Sequence, residues 1–334
     1  MKRIVLFMGV HARPRVVVSK CLGFEHCRWN AQIISNEFVN LLQSHVEFMP
    51  VCPEVEIGLG VPRNPIRVVH DPSSGTLRLV QPATGKDLTE AMQAFCESFL
   101  SSLSGIDGFI LKGGSPSCGL KNVKIYSGIG SPYVKEKGRG IFGGAVFERF
   151  PRLAVEDEER LSNPLIREHF LTKLFTLAAF RQAQARGRAT DLVEFHSNNK
   201  FLLMAYSQSA MRKLGKVVAD QKAIGIENAF RVYRETLENA LYRPPKRGSV
   251  VNVLNHMFGY FSQKLNEGER KFLLEAVENY RKGMAPLIVS VNLVRSYAIR
   301  FGIDYLLRQS FLEPYPLELM EKPTYDEDRD YWRF

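Results

Sequence analysis

Phe109-Ile110-Leu111-Lys112-Gly113-Gly114-Ser115-Pro116-Ser117-Cys118 is a short apolar run, a turn and a cysteine. The same order occurs twice more, in Val16-Val17-Val18-Ser19-Lys20-Cys21 and Phe48-Met49-Pro50-Val51-Cys52-Pro53-Glu54. Short, partly β-branched runs of this kind read as buried strands of a parallel sheet. Residues just past the carboxyl ends of such strands share one crevice, where ligands bind. Cysteines far apart in the chain are thereby expected to meet at one point. Three converging thiolates make a poor disulfide set and a good soft-metal site with one position open.

Working outward, residues 1–155 alternate apolar runs with helical stretches, predicted at Asn30–Gln43 and Asp87–Leu103. Gly58 to Gly85 is rich in Pro and Gly and holds a predicted hairpin around Arg67–Val69 and Thr76–Val80. Lys124 to Gly144 reads as a glycine-rich loop leading into a helix, and Met1–Val10 as a first strand or an extension. From about Asn163 the spacing is helical throughout: Leu165–Arg186, Thr190–Tyr206, Ser209–Gln221, Ile224–Tyr242, Val250–Leu265, Gly268–Lys282 and Pro286–Phe301. Pro314-Tyr315-Pro316 and the charged residues after it read as a weakly structured tail. The expected architecture is an α/β N-terminal domain with a mostly parallel sheet, plus an all-α C-terminal domain. The expected boundaries are 1–160, 161–316 and a charged tail, 317–334.

With 334 residues, 45% hydrophobic and 24% charged, the chain has the composition of an ordinary soluble globular protein. No apolar run is long enough to span a bilayer, and no convincing leader-cleavage site follows the first apolar stretch. Five cysteines are an odd and sparse set for a disulfide framework, so a reducing cytoplasm is expected. The net charge is +10, and residues 161–312 hold 23 Lys and Arg against 12 Asp and Glu, a local excess of +11. A compact basic region points to a polyanion such as nucleic acid, with a merely solvated basic surface as the alternative. No membrane contact and no obligate protein partner are evident.

Cys21, Cys52 and Cys118 are the candidate ligands of one metal centre. They contain no C-x-x-C pair and match no zinc finger, so the repeated strand-then-cysteine setting carries the reading, against three unrelated buried thiols. An all-thiolate, three-point site suits an iron–sulfur cluster. Cys96, inside a predicted helix, reads as structural. Cys27 reads as a structural or supporting thiol, with a fourth ligand or redox partner as alternatives. Glu54 follows Cys52 on a turn stiffened by Pro53, placed to act as general acid or base or only to cap the turn. Ser115 and Ser117 offer hydroxyl donors or satisfy a tight loop. Lys112 is a candidate anion contact or structural ion pair, and Arg63 closes a loop toward the same crevice. In the helical half, His196 and Lys200 share a helix face at i, i+4. Lys213 and Lys216, then Lys246 and Arg247 in Arg243-Pro244-Pro245-Lys246-Arg247, are candidate phosphate contacts.

Val18-Ser19-Lys20-Cys21-Leu22-Gly23 with Cys27-Arg28-Trp29-Asn30, Cys52-Pro53-Glu54 with Gly58-Leu59 and Val61-Pro62-Arg63, and Leu111-Lys112 with Ser115-Pro116-Ser117-Cys118-Gly119 resemble the DUF523 family over about residues 14–160. That family includes thiouracil desulfurases. Residues 165–280, notably Phe195-His196-Ser197 with Lys200 and Tyr206, then Leu214-Gly215, resemble the helical DUF1722 family. The fusion resembles tRNA 4-thiouridine desulfidases. The resemblance implies a [4Fe-4S] cluster with three cysteine ligands, at Cys21, Cys52 and Cys118, and one open iron. It implies Glu54 and Ser115 as catalytic residues and tRNA as partner. Gly113-Gly114 and Trp29 depart from the family pattern, where bulkier or charged residues and Tyr are common, but no ligand position is lost. The implied reaction is a non-redox, hydrolytic removal of sulfur. Alternatives are a desulfidase of free thiouracil or thionucleotides, a non-enzymatic RNA-binding protein with a structural metal, and thiol redox chemistry through Cys21 and Cys27.

Overall fold

Val16, Val17 and Val18 are all fully buried, so the first strand is covered on both faces and its apolar run has no polar alternation to show. The computed structural model describes residues 11–71, 73 and 75–320. The expected first strand or extension at Met1–Val10 lies outside them, as do residues 321–334 of the expected tail.

The strands are β1 (Arg15–Ser19), β2 (Glu47–Val51), β3 (Arg67–His70), β4 (Leu77–Gln81), β5 (Lys86–Asp87), β6 (Gly108–Leu111), β7 (Val123–Tyr126), β8 (Val134–Gly138) and β9 (Ala154–Asp157). Helices α1 (Glu37–Leu42), α2 (Pro53–Glu56), α3 (Thr89–Ser102) and α4 (Ile141–Arg149) intervene. The rest is helical: α5 (Pro164–Arg186), α6 (Ala189–Tyr206), α7 (Gln208–Ile224) and α8 (Ile226–Ala240). After these come α9 (Arg247–Gly259), α10 (Glu267–Lys282), α11 (Leu287–Arg300) and α12 (Asp304–Leu307). The α/β half followed by an all-α half is the architecture read from the periodicity.

Sheet order β2-β1-β6-β9 is parallel throughout, with Ser19 opposite Val51 and Val18 opposite both Pro50 and Ile110. On one face Val17, Phe109 and Leu111 pack against Met92 and Cys96 of α3 and Phe142 of α4. On the other, Val16, Val18 and Ile110 meet Val39 and Leu42 of α1 and Leu171 and Leu174 of α5. Cys96 is a core thiol of α3, as expected, and burial pushes its pKa up to about 11.

A second sheet, β5-β4-β3-β7-β8, stands beside the first. Its β3–β4 hairpin pairs Arg67 with Val80 and His70 with Leu77, where the hairpin was expected. The expected glycine-rich loop after Cys118 contains β7 and β8 as well; β8 is a charged edge strand, Val134-Lys135-Glu136-Lys137, whose exposed side chains carry no apolar period. The helix expected from Asn30 starts only at Glu37, because Asn36 caps it and the preceding residues are tied to the first cysteine turn through the Ile34 amide and the Cys21 carbonyl (2.8 Å).

Helix α5 starts at an Asn163 cap with Pro164 in its first turn and ends at Gly187 in the left-handed region (φ +70°). Its Phe170, Leu171, Leu174 and Phe175 enter the core of the sheet domain, whereas Leu177, Phe180 and Ala183 enter the helical core. The Pro314–Pro316 segment is not a weakly structured tail. Tyr315 is buried with Leu319 against the sheet domain, followed by a 3-10 turn at Leu317–Leu319.

Candidate metal centre and active site

The parallel register brings the ends of β1, β2 and β6 to one edge. The Lys20 amide bonds the Val51 carbonyl (2.8 Å), so β1 and β2 run together up to the turn carrying Cys21. That turn closes through Leu22 N–H to Ser19 O and Phe24 N–H to Lys20 O. Cys52 follows β2 directly and caps α2, with Pro53 in the first helical position. Beyond β6, the Lys112 amide donates to Ser19 Oγ (2.9 Å), and Ser115 Oγ accepts from the amides of Ser117 and Cys118 at 3.2 and 3.1 Å. Cys118 is thus fixed by a turn whose base is tied to the end of β1.

Helix α4 closes over this turn. Gly143 N–H bonds Ser117 O, and the Gly140 and Ile141 amides bond Gly119 O and Pro116 O. A Cβ on Gly143 would stand 2.5 Å from the Cys118 carbonyl oxygen, so the glycine-rich run allows backbone to pack on backbone behind the thiol.

Four thiols meet at this edge. Cys27 is fully buried, and its carbonyl accepts from the Cys52 thiol (3.8 Å). Cys118 is buried at the same edge, on the loop that the Lys112 amide ties to Ser19 Oγ (2.9 Å). Hydrogen bonding to Cys21, then burial, pushes Cys27 up to about 11. Hydrogen bonding to Cys27 and burial raise Cys52, and burial raises Cys118. The nearby cations are spent on carboxylates: Lys20 on Glu25, Arg63 on Glu54, Lys112 on Glu158 and Glu159. Among the described residues, no three His, Cys, Asp or Glu side chains form a group suited to a single metal ion. The donor set is nevertheless soft and all-sulfur, drawn from three separate strand ends, which fits an iron–sulfur cluster and not a hard cation.

Glu54 lies between these thiols and a fixed pair of partners. Ser117 Oγ donates to Glu54 Oε1 (2.9 Å), and Arg63 donates to Oε2 from Nε (2.9 Å) and from its terminal nitrogen (2.8 Å). The Arg63 amide in turn bonds Trp29 O (2.8 Å), tying this loop to the segment that carries Cys27. Ser117 is completely buried, and the Glu54 side chain retains 13% exposure, so the carboxylate is held on its inner side and open on the other.

The other candidates divide. Lys112 Nζ donates to Glu158 Oε1 (2.5 Å), Gly113 O (2.7 Å) and Glu159 Oε1 (3.1 Å), so its three donors are engaged in the ion pairing that was one of the two roles expected for it. Arg63 reaches the site through Glu54. His196 is a packing residue: its Nδ1 meets the hydroxyl of buried Tyr233 (3.0 Å), Gly215 closes on its Nε2 side, and burial lowers its pKa. Lys200 is half-buried one turn on. Lys213 and Lys216 on α7, and Lys246 and Arg247 at the start of α9, are exposed. Ser19 and the Ser117–Glu54 link were not singled out; a serine closing a run of three valines was the available signal for the first, and nothing local separates Ser117 from Ser115.

A parallel α/β domain that gathers soft thiols beside one oriented carboxylate, joined to a basic helical region, defines a thiol-lined candidate site. Residues 16–158 match the 2-thiouracil desulfurase family, and residues 200–316 match a protein family of unknown function, DUF1722. The chain belongs to the 2-thiouracil desulfurase family, with the DUF1722 region following it. It is 31% identical over 149 residues to the uncharacterized protein YbbK of Bacillus subtilis (strain 168), covering 43% of this chain and 96% of that protein. It is 28% identical over 148 residues to the uncharacterized protein YbgA of Escherichia coli (strain K12), covering 44% of this chain and 88% of that one. A solved structure, the [4Fe-4S]-dependent thiouracil desulfidase TudS, is similar with 26% identity and a TM-score of 0.34, over 45% of this chain and 94% of that chain.

Proposed function

We propose that the protein removes sulfur from 4-thiouridine in tRNA, giving uridine and hydrogen sulfide, in the cytoplasm, with a [4Fe-4S] cluster held by Cys21, Cys52 and Cys118. The observation that carries this reading is Glu54, oriented by Ser117 and Arg63 beside the converging thiols. Family membership supports carbon–sulfur chemistry on a thiolated pyrimidine. The bound cluster would supply a Lewis-acidic iron with no protein ligand, suited to a soft sulfur.

The chain's own residues then act on water and protons. Arg63 and Ser117 hold the carboxylate so that its open side meets a water, and each oxygen keeps lone-pair capacity for that proton. Glu54 takes a proton from the water as its oxygen bonds to C4. It returns that proton to the sulfur, and then carries the proton of the new C4 hydroxyl to the departing hydrosulfide as the carbon–sulfur bond breaks. Water and thiocarbonyl become carbonyl and hydrogen sulfide, with no net electron transfer. Ser115, its oxygen fixed by two amides, presents its hydroxyl hydrogen to the substrate. The exposed Lys213, Lys216, Lys246 and Arg247 contact the RNA backbone, and a dedicated domain helps to meet the cost of unstacking the target base.

A second reading, a desulfidase of free thiouracil, has the family's description in its favour. Anaerobically prepared protein assayed on tRNA and on free thiouracil separates the two. The first reading requires a higher kcat/KM on tRNA, and equal or greater efficiency on the free base would replace it with the second.

A further inference from the structure

The second sheet has a face that the reaction above leaves unused. The register of β7 and β8 sets Lys124 directly opposite Lys137, and both are exposed. Val123 and Ile125, on either side of Lys124, are buried in the core, so strand alternation puts the two lysines on the outer face. Tyr126 shares that face and carries the Arg67 guanidinium of β3 over its ring (4.5 Å). Among the described residues neither lysine forms an ion pair, while the carboxylates of Asp71 and Asp87 are engaged by Arg78. Like charges directly opposite across an antiparallel pair are destabilising. Charge on an edge strand protects a sheet from stray pairing, but that needs lysines on β8 alone and does not call for Lys124 facing Lys137. The turn between the strands adds Tyr133, 76% exposed. The hairpin also grows directly out of the thiol site. Its base is closed where Gly140 N–H bonds Gly119 O (2.8 Å), next to Cys118. Lys124 lies six residues beyond Cys118, a reach of at most about 22 Å.

We propose that the outer face of the β7–β8 hairpin is an RNA-binding surface of the sheet domain, with Lys124 and Lys137 each taking a backbone phosphate near the target nucleotide. The inference rests on the proposed action on tRNA. Charge complementarity identifies the occupant: facing cations without a counter-ion fit the phosphates of a polyanion. Basic side chains interleaved with exposed aromatic rings suit unpaired nucleotides, whose bases stack on those rings. The helical half then holds the body of the RNA, and the hairpin holds the strand that leads into the site. A phosphate placed between two ammonium groups also relieves their mutual repulsion.

The test uses the full chain, reconstituted without oxygen, in three forms: wild type, Lys124→Ala with Lys137→Ala, and Lys124→Arg with Lys137→Arg. Affinity for tRNA is measured against salt concentration, with thermal unfolding and iron content alongside. We expect the alanine pair to weaken binding roughly thirtyfold at 0.1 M salt and to flatten the log–log salt slope by about 1.4–1.8 units, the share of two phosphate contacts. The arginine pair should keep the wild-type slope. Neither pair should lower the unfolding temperature or the iron content, since both side chains are exposed and outside the reaction. Unchanged slope and affinity in the alanine pair would overturn the proposal and leave tRNA as the substrate. A slope lost equally in the arginine pair would trace the effect to the hairpin's backbone and not its charge, which also overturns it. Unchanged tRNA binding with lost binding to phosphatidylserine vesicles would assign the face to an acidic membrane instead. Wild-type protein with no affinity for tRNA would refute the tRNA reading itself, a result distinct from any failure confined to the variants.

Discussion

At the scale of single residues, Glu54 has both carboxylate oxygens assigned: Oε1 to Ser117 and Oε2 to Arg63. This geometry separates holding the base from being the base. Glu54→Gln is expected to lower kcat by about 10²–10⁴-fold, the usual contribution of a positioned general base, while leaving iron content unchanged. Ser117→Ala removes one orienting bond and should cost roughly tenfold, corresponding to about 1.4 kcal/mol. Steady-state kinetics with iron analysis on each variant checks both, and a Glu54→Gln protein of wild-type rate would remove the carboxylate from the reaction. The candidate residues were legible as a set, because thiols after buried parallel strands have only one edge to occupy. Which serine meets Glu54 was not legible, since Ser115 and Ser117 share one loop and the turn decides which hydroxyl points where. The ion pairs of Lys112 with Glu158 and Glu159 were not legible, because those glutamates follow β9 in sequence and become neighbours only through the parallel pairing of β6 with β9.

At the scale of elements, α4 and α5 carry most of what the pattern of residues left hidden. Gly143 of α4 stands where backbone packs against the Cys118 turn, so Gly143→Ala forces that turn or the helix to move. We expect a loss of about 1–3 kcal/mol in thermal or denaturant unfolding, as for other overpacked sites, together with poorer cluster retention. Helix α5 read correctly as a helix, but its run of buried residues from Phe170 to Ala178 gives it no polar face, so periodicity could not show that it serves two cores. It also holds His169, whose Nδ1 meets the Tyr206 hydroxyl (3.0 Å); burial, reinforced by Lys173, pushes its pKa down to about 4. A histidine with a lowered folded-state pKa stabilises the protein above its unfolded value of about 6.5 and loses that contribution as pH falls through 4. The raised carboxyl of Glu168, one residue before it, has the opposite slope, so the comparison must be with a variant. The stability difference between wild type and His169→Gln should shrink by up to about 3 kcal/mol between pH 7 and pH 4, measured by denaturant titration. A difference independent of pH would show that His169 does not titrate in that window.

At the scale of the whole molecule, two cores meet along α5, and the returning chain at Tyr315 and Leu319 packs back on the sheet domain. That return was missed because the Pro-Tyr-Pro segment has turn chemistry, while its burial depends on a surface formed some 150 residues earlier. The net charge of +10 and the excess on the helical half were read directly from composition, and the exposed Lys213, Lys216, Lys246 and Arg247 give that charge definite positions. Reversing all four charges is expected to weaken tRNA binding and to flatten its dependence on salt by just under one unit of log–log slope per lost phosphate contact. Free thiouracil turnover should be untouched. An unaltered salt slope would place the RNA elsewhere on the surface.

The central claim is that the strand-end thiols and Glu54 together desulfurise 4-thiouridine in tRNA. Its most direct test is nucleoside analysis of bulk tRNA after incubation with anaerobically reconstituted protein of known iron and sulfide content. We expect 4-thiouridine to disappear with equal gains of uridine and hydrogen sulfide. Unchanged 4-thiouridine in the presence of an intact cluster would contradict the claim.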